Sequence, residues 1–544
     1  MSVTYTSAGE DIRVENWTIM VFFAGEQDLS PSMTSQLKAI KDAGFQEDTT
    51  VLIHYDPNKK GVGTVTFDIN RERKREMPTS IGDGKDPFVR NLVEDMIPGA
   101  PKGDTAAEAL KTFLGLGCRN YPAKHYMLIL VGHGVIVGND AFLPDNTPES
   151  AITLQQLGDI LSSFRAGVSL DGGTVELIGL HSCSMSAIEV AYQLKGAAKY
   201  LLATEGVSFV GSWPYRQLMK KILYEIDEAK TNNKDVDVDR LIMSVHQLCL
   251  HNSTDFMFSG LSADLCLCSL EAEKVERLNE PMKALTRALK QGLKDRRGVE
   301  LITLAHLEAQ GYYQENYTDL YDFCLCLEKK CREGGRVQEQ MKAACEAVRA
   351  RLKETNHADG LIVRSDFFGP LYQYSHGLSV YFPWAEPLHD NPPLPGDDIL
   401  RRYEDYAFTK ELGDDSWLSF LKEYFNETMR DSRELEDDAY KAVKVVAKAE
   451  TRARISAAGN GTIIGSPGAS VAEALDRKSS PELDDPAKKS SPELTSGGCG
   501  CSVKNYPMGF IKSPRAFEDA NPGRNGSQPK RSGGVVVSHS RTRS

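Results

Sequence analysis

The sequence lacks the features that would place it in a membrane or outside the cell. No apolar run approaches the ~18 consecutive residues that a membrane-spanning helix needs. Residues 1–17 hold no basic stretch followed by an apolar core, so we expect no secretory signal. The 11 cysteines are odd in number and lack the spacing of a small disulfide scaffold. This pattern favours a reduced, cytoplasmic setting without a membrane partner.

Positive charge is outnumbered by negative charge, with 64 Lys and Arg against 76 Asp and Glu. The formal net charge is −12 over 544 residues, which argues against a general nucleic-acid binder. The charge is uneven, because residues 451–544 hold 14 Lys and Arg against 8 Asp and Glu. Beyond residue 456 the composition shifts to Gly, Ser, Pro and Lys. We therefore predict a disordered basic tail at 456–544, preceded by a charged helix at 431–455.

The rest of the chain has the composition of a globular protein. Hydrophobic residues make up 41% and charged residues 26%, enough for a sizeable core. Short apolar runs alternate with helical periodicity, which predicts an α/β fold with a mostly parallel sheet flanked by helices over 15–225. The predicted strands there lie at 17–23, 50–54, 64–68, 125–131 and 174–180, and the helices at 33–40, 105–114, 154–164 and 186–194. A mixed α/β carboxyl-terminal part is predicted over 226–430, with strands at 255–261 and 377–382 and helices at 270–293 and 336–352.

Two reactive side chains follow predicted strands of this sheet. His133 stands between two glycines after one strand, and Cys183 follows the next strand and precedes a predicted helix. A thiol at a helix amino terminus would be favoured as thiolate, and an imidazole can carry a proton to a leaving amine. Alone, a cysteine after a buried strand is more often a packing residue, and a histidine between glycines is often a turn residue. Their occurrence together favours acyl transfer.

Several segments resemble the clostripain-like cysteine peptidases, a family that shares the caspase fold. The resemblance covers roughly residues 15–430 and keeps the family's order. The segments that carry it are 17–29, 120–134, 180–186, 203–205, 211–215, 317–322 and 377–383. It implies a caspase-like fold and hydrolysis of peptide bonds in proteins or peptides. It also implies that Cys183 is the nucleophile, that His133 is the general acid and base, and that the backbone N–H groups of Gly134 and Cys183 form the oxyanion hole.

The resemblance implies cleavage after Arg or Lys, and the sequence departs from the family at this point. The family usually has Asp two positions before the cysteine, where this chain has His181. A protonated His181 would repel a cationic substrate group. Asp28, Glu26 and Glu205 are acidic candidates for the substrate-binding pocket that could compensate, although each alone is more readily explained as solvated loop charge.

Activation is the second departure. Relatives are often matured by self-cleavage between the histidine and cysteine segments, yet residues 125–164 contain no Lys or Arg. We therefore expect either no cleavage there or the action of another protease or a regulator. A further hypothesis is that the basic tail at 456–544 shields the active site until it is removed.

No metal or cofactor site is predicted. The close cysteine pairs at 266/268, 324/326 and 499/501 have one residue between them, which is too short for typical structural zinc. The family includes calcium-stimulated members, but no EF-hand-like loop occurs, so calcium has no assignable site. Two alternatives to a peptidase stay open. One is a catalytically silent peptidase fold that binds peptides or partners, and the other is a cysteine amidase acting on small molecules.

Overall fold

A computed structural model of the chain provides the fold. The residues that it describes are 14–24, 29–44, 46–56, 63–69, 95–100, 103–135, 141–146, 149–251, 262–312, 316–332, 334–353, 360–386 and 399–428. The predicted strand at 255–261, the charged helix at 431–455 and the tail at 456–544 lie outside these residues.

One large sheet organises the described residues. The strands of the protein are β1 Glu15–Phe23, β2 Thr49–Tyr55, β3 Val65–Asp68, β4 Ala123–Val131, β5 Gly134–Val135, β6 Ala141–Asn146, β7 Glu149–Ile152, β8 Thr174–His181, β9 Tyr200–Ala203, β10 Ala263–Ser269, β11 Gly311–Tyr312, β12 Tyr317–Asp319, β13 Ile362–Phe368 and β14 Ser379–Tyr381. Eight of them form the sheet in the order β13-β10-β9-β8-β4-β1-β2-β3. The run from β9 to β2 is parallel, whereas β3, β10 and β13 pair antiparallel at the edges.

Helices cover both faces of this sheet. Their bounds are α1 Ser30–Lys41, α2 Ala106–Asn120, α3 Leu154–Leu170, α4 Ile188–Gln193, α5 Tyr215–Thr231, α6 Val238–His251, α7 Ala272–Glu276, α8 Asn279–Gly292, α9 Arg296–Glu308, α10 Leu320–Lys330, α11 Arg336–Leu352, α12 Ile399–Asp405, α13 Ala407–Leu412 and α14 417–428. The predicted α/β class with a mostly parallel sheet is confirmed. None of the described helices is both long and apolar enough to cross a membrane.

The apolar strands form because both of their faces are buried. Along β1, Met20 and Phe22 join the core beneath α2 and α3, while Ile19 and Val21 join the core beneath α1 and α5. Successive side chains of a strand point to opposite faces. A strand covered on both sides therefore reads as a continuous hydrophobic run.

The single helix predicted at 270–293 is wrong, because the structure has two helices there. The first, α7, ends at Glu276, and the second, α8, starts at Asn279. Pro281 lies in the first turn of α8, where its missing N–H costs no helical hydrogen bond. The same proline inside one continuous helix would remove a bond and clash with the preceding turn.

Elements from both sides of residue 225 share the large sheet. Strands β10 and β13, from the carboxyl-terminal part, complete the large sheet beside β9. A separate three-stranded sheet, β11-β12-β14, comes from the same part. Its strand β14 meets the segment after Cys183 through a bridge between Ala187 and Ser379.

We predict that a chain ended after residue 234, beyond the end of α5, does not fold on its own. It would leave the edge of β9 unpaired and expose the apolar side chains that pack against the carboxyl-terminal part. Circular dichroism during heating should show no cooperative transition for this chain, whereas a chain ended after residue 430 should unfold cooperatively. A sharp transition in the shorter chain would contradict the shared core.

Candidate active site

The parallel pairing of β4 with β8 brings the histidine and cysteine segments to one edge of the sheet. Val131 pairs with His181, so His133 and Cys183 each lie two residues beyond a matched pair. Gly134 touches the cysteine segment directly, because a Cβ atom there would lie 2.6 Å from the Cys183 carbonyl oxygen and 2.8 Å from Ser182 Cβ. Only glycine fits this approach, which explains the residue that follows the histidine.

The N–H of Gly134 is directed away from its strand partner. Gly134 pairs with Phe142 of β6, and the Leu143 N–H donates to the His133 carbonyl at 3.0 Å. In this antiparallel pattern, the N–H of Gly134 points away from β6.

The turn after Cys183 has an unusual backbone conformation. Ser184 has φ of +56°, which for a residue other than glycine costs about 1–3 kcal/mol and persists only when its surroundings enforce it. Two hydrogen bonds hold the turn: the Ser184 N–H donates to the Gly206 carbonyl at 2.9 Å, and the Ser186 N–H donates to the Thr204 carbonyl at 2.8 Å. The expectation that Cys183 lies at a helix amino terminus is wrong, because α4 begins only at Ile188.

The Cys183 thiol is covered in this structure. The residue is 2% exposed, and its Sγ lies 3.4 Å from the Ser208 N–H and 3.5 Å from the Ser208 carbonyl oxygen. Ser208 belongs to the segment at 205–212, which follows β9 after Thr204. In this conformation the Cys183 residue has almost no surface open to a substrate.

His181 is a neutral interior group that does not repel cations. Its Nε2 donates to the Phe209 carbonyl at 2.8 Å, and its Nδ1 accepts from the Tyr215 hydroxyl at 2.9 Å. The ring stacks on Trp213, with centroids 4.5 Å apart. Burial lowers the pKa of His181 to about 3, against a partly offsetting hydrogen bond to the Phe209 carbonyl. The expected repulsion by a protonated His181 is therefore absent at neutral pH.

Glu205 lies in the interior of the protein and not on its surface. The side chain is fully buried, and its Oε2 accepts from the Tyr312 hydroxyl at 3.0 Å and from the Gly377 N–H at 2.9 Å. Burial, reinforced by the nearby Asp319 and Asp264 carboxyls, raises the pKa of Glu205. The other two acidic candidates, Glu26 and Asp28, lie outside the described residues.

A small pocket lined in part by Ser208, which contacts the Cys183 thiol, was not predicted from the sequence. Ser208, Phe209 and Trp213 are among its lining residues, together with Asp264 of β10. Among its described lining residues, Asp264 alone carries a carboxyl group. An acidic residue inside the apolar strand 263–269 was the sequence signal that could have revealed it.

Metal binding has little structural support in the described part of the chain. Those residues contain no group of three or more His, Cys, Asp and Glu side chains arranged to hold an ion. The cysteines at 266, 268, 324 and 326 are buried free thiols. That the protein works without a cofactor stays a prediction.

The family of the protein follows from its sequence. Residues 21–383 match the profile of the clostripain family, Peptidase C11, and the chain belongs to this family. Clostripain from Hathewaya histolytica is 22% identical over 256 residues, which cover 42% of this chain and 46% of that protein. The match thus spans about half the length of this curated relative.

Two solved structures are similar in outline. An inactive zymogen C11 protease from Parabacteroides distasonis is 16% identical and has a TM-score of 0.45, and the match covers 74% of this chain and 99% of that one. A secreted C11 cysteine protease from Bacteroides thetaiotaomicron is 14% identical and has a TM-score of 0.47, with 74% and 100% covered.

We predict that His181 makes stability fall in acid. Its folded pKa of about 3 lies below the value of about 6.5 for the unfolded chain. Below pH 6.5 the imidazole is protonated in the unfolded chain but stays neutral in the folded one. The free energy of unfolding therefore falls with the pH, by about 2 kcal/mol at pH 5. His181→Gln removes this group, so the melting-temperature gap between variant and wild type should narrow from pH 7.5 to pH 5. A constant gap would contradict the neutral imidazole.

Proposed function

We propose that this protein is a cysteine endopeptidase with a catalytic dyad of Cys183 and His133. The matched register of β4 and β8 carries the proposal, because it brings the two segments to one edge of the sheet. His133 takes the thiol proton, and Cys183 Sγ attacks the carbonyl carbon of the peptide bond. His133 then protonates the leaving amine, and later it activates the water that hydrolyses the thioester.

The developing oxyanion is stabilised by the backbone N–H groups of Gly134 and Cys183. The N–H of Gly134 already points away from its strand partner. The N–H of Ser184 is unsuited to this role, because it donates to Gly206. Fixed donors of this kind act without reorganisation at the moment of reaction.

The covered thiol supports a latent state as part of this function. Opening requires residues 205–212 to move, and a partner, an upstream protease or removal of the basic tail supplies the trigger.

A catalytically silent binding module is the second candidate, favoured by the burial of Cys183 and by the absence of a carboxylate at position 181. The free thiols of the described cysteines support a reducing, cytoplasmic setting.

Loss of either dyad residue should abolish turnover. We predict that Cys183→Ala and His133→Ala each lower kcat/KM for peptide cleavage by at least about 10³-fold, since each removes a group that acts in the transition state. Cys118→Ala is the matched control, because it removes another buried thiol, in helix α2, and should keep activity. Wild-type cleavage that persists in Cys183→Ala would exclude this nucleophile.

Substrate preference follows from charge. We propose that cleavage occurs after Arg or Lys, supported by the acidic character of residues 1–450 and by the neutrality of His181. Glu26 and Asp28 supply the carboxylates on this proposal, because Glu205 is buried.

A peptide library varied at the residue before the scissile bond tests this preference. Intact protein and protein lacking 456–544 should both cut after Arg and Lys, and the shortened protein should cut faster if the tail shields the site. Glu26→Gln and Asp28→Asn should raise KM for basic peptides. Cleavage after apolar residues would keep the peptidase and discard basic specificity, whereas silence from all proteins, with tight peptide binding, would favour the binding module.

A further inference from the structure

Asp264 is a buried carboxylate that the proposed dyad does not use, yet its hydrogen bonds lead to the cysteine turn. The residue is 3% exposed and lies on β10, two strands away from β8 in the sheet. Resting on the proposed function, we propose that Asp264 is a positioning residue that fixes the strained turn carrying Cys183 through the backbone of residues 204–206.

Asp264 accepts two hydrogen bonds from the backbone that follows β9. Its Oδ2 accepts from the Glu205 N–H at 2.6 Å, and its Oδ1 accepts from the Gly206 N–H at 3.0 Å. Both carboxylate oxygens thus meet successive N–H groups of one segment. Hydrogen bonds to an ionised acceptor are roughly twice as strong as neutral ones. The first bond orients the Thr204 carbonyl, because that carbonyl shares a peptide plane with the Glu205 N–H, and the second anchors the N–H of Gly206.

The cysteine turn at 183–186 is hydrogen-bonded to the backbone of residues 204–206. The Gly206 carbonyl accepts from the N–H of Ser184, whose φ of +56° needs an external restraint. Thr204 accepts from the Ser186 N–H on the other side of the turn. Residues 204–206, which we call the brace, therefore restrain the turn at two points. The Asp264 carboxylate in turn restrains the brace.

The segment that follows residues 204–206 contacts the sulfur of Cys183. Ser208 lies two residues beyond Gly206, and its N–H donates to Cys183 Sγ at 3.4 Å. A shift of the brace would move both the backbone that carries Cys183 and a donor to its sulfur. Small displacements of reacting groups can cost about 10²-fold in rate.

A carboxylate suits this place better than an amide. Two backbone donors point at it, and an Asn side chain has one acceptor oxygen and an NH₂ group that would face a second donor. Burial raises the pKa of Asp264 to about 6, while the N–H groups of Glu205 and Gly206 oppose the shift. The group is thus largely ionised at neutral pH.

The main test is Asp264→Asn in the full-length chain. We expect kcat for peptide cleavage to fall about 10- to 100-fold, with KM changed less than kcat. The control is Asp366→Asn on β13, which removes the same charge from a half-exposed residue paired with Arg364 and should keep kcat. A purely structural role for Asp264 would lower the melting temperature without this kcat effect, and that result would overturn the proposal.

A double variant tests whether Asp264 acts through the turn. Glycine adopts positive φ without strain, so Ser184→Gly reduces the need for a restraint. We expect Ser184→Gly to recover at least about threefold of the kcat that Asp264→Asn loses, a non-additivity typical of coupled sites. Strictly additive effects would contradict the coupling.

Amide exchange separates this inference from the proposed function, because it requires no activity. In wild type, the amides of Ser184, Glu205 and Gly206 should open with one common free energy, and Asp264→Asn should speed all three, whereas Asp366→Asn should not. An inactive wild type with this exchange pattern would remove the peptidase and keep the brace. Independent exchange of Ser184 would overturn the brace, even if Asp264→Asn failed to fold.

Discussion

The hydrogen-bonded register between β4 and β8 is the constraint on which the candidate site depends. It pairs Val131 with His181, the last residues of the two strands. His133 and Cys183, two residues further along, therefore lie at the same edge of the sheet. A one-residue slip would turn every side chain of a strand to the other face. Because two different apolar sets fill the two faces of the sheet, such a slip would exchange the sets and disrupt the packing of both cores, so burial favours the observed register.

The carboxyl-terminal part contributes to the site as well as to the core. The Ser186 hydroxyl donates to the Gly377 carbonyl at 2.5 Å, and the Ser379 N–H donates to the Ser186 carbonyl at 3.0 Å. Glu205 reaches the same region through its bond from the Gly377 N–H. The cysteine turn is thus held between β9 on one side and the β14 region on the other. A domain division at residue 225 would separate the nucleophile from half of its supports.

The strands and the sites at their ends were predictable, because burial on two faces leaves a plain signal in the chain. The class of fold follows from that signal, as does the placement of His133 and Cys183 after neighbouring strands. The roles of single acidic residues were not predictable. Glu205 reads as loop charge in the sequence, yet it is buried because Tyr312 and Gly377, more than 100 residues away, supply its donors. Contacts of that range leave no local pattern.

His181 shows why a charge read from the sequence can mislead. The Phe209 carbonyl accepts from Nε2, which the Ser212 hydroxyl also approaches at 3.2 Å, and the Tyr215 hydroxyl donates to Nδ1, so the neutral ring is hydrogen-bonded at both nitrogens without a second proton. A carboxylate at this position would face the Phe209 carbonyl oxygen without a proton between them. Gly179 leaves room for Trp213, because a Cβ there would lie 3.1 Å from the indole ring. The surrounding loop is therefore built for a neutral imidazole, and any carboxylate that selects a basic substrate has to come from a different loop.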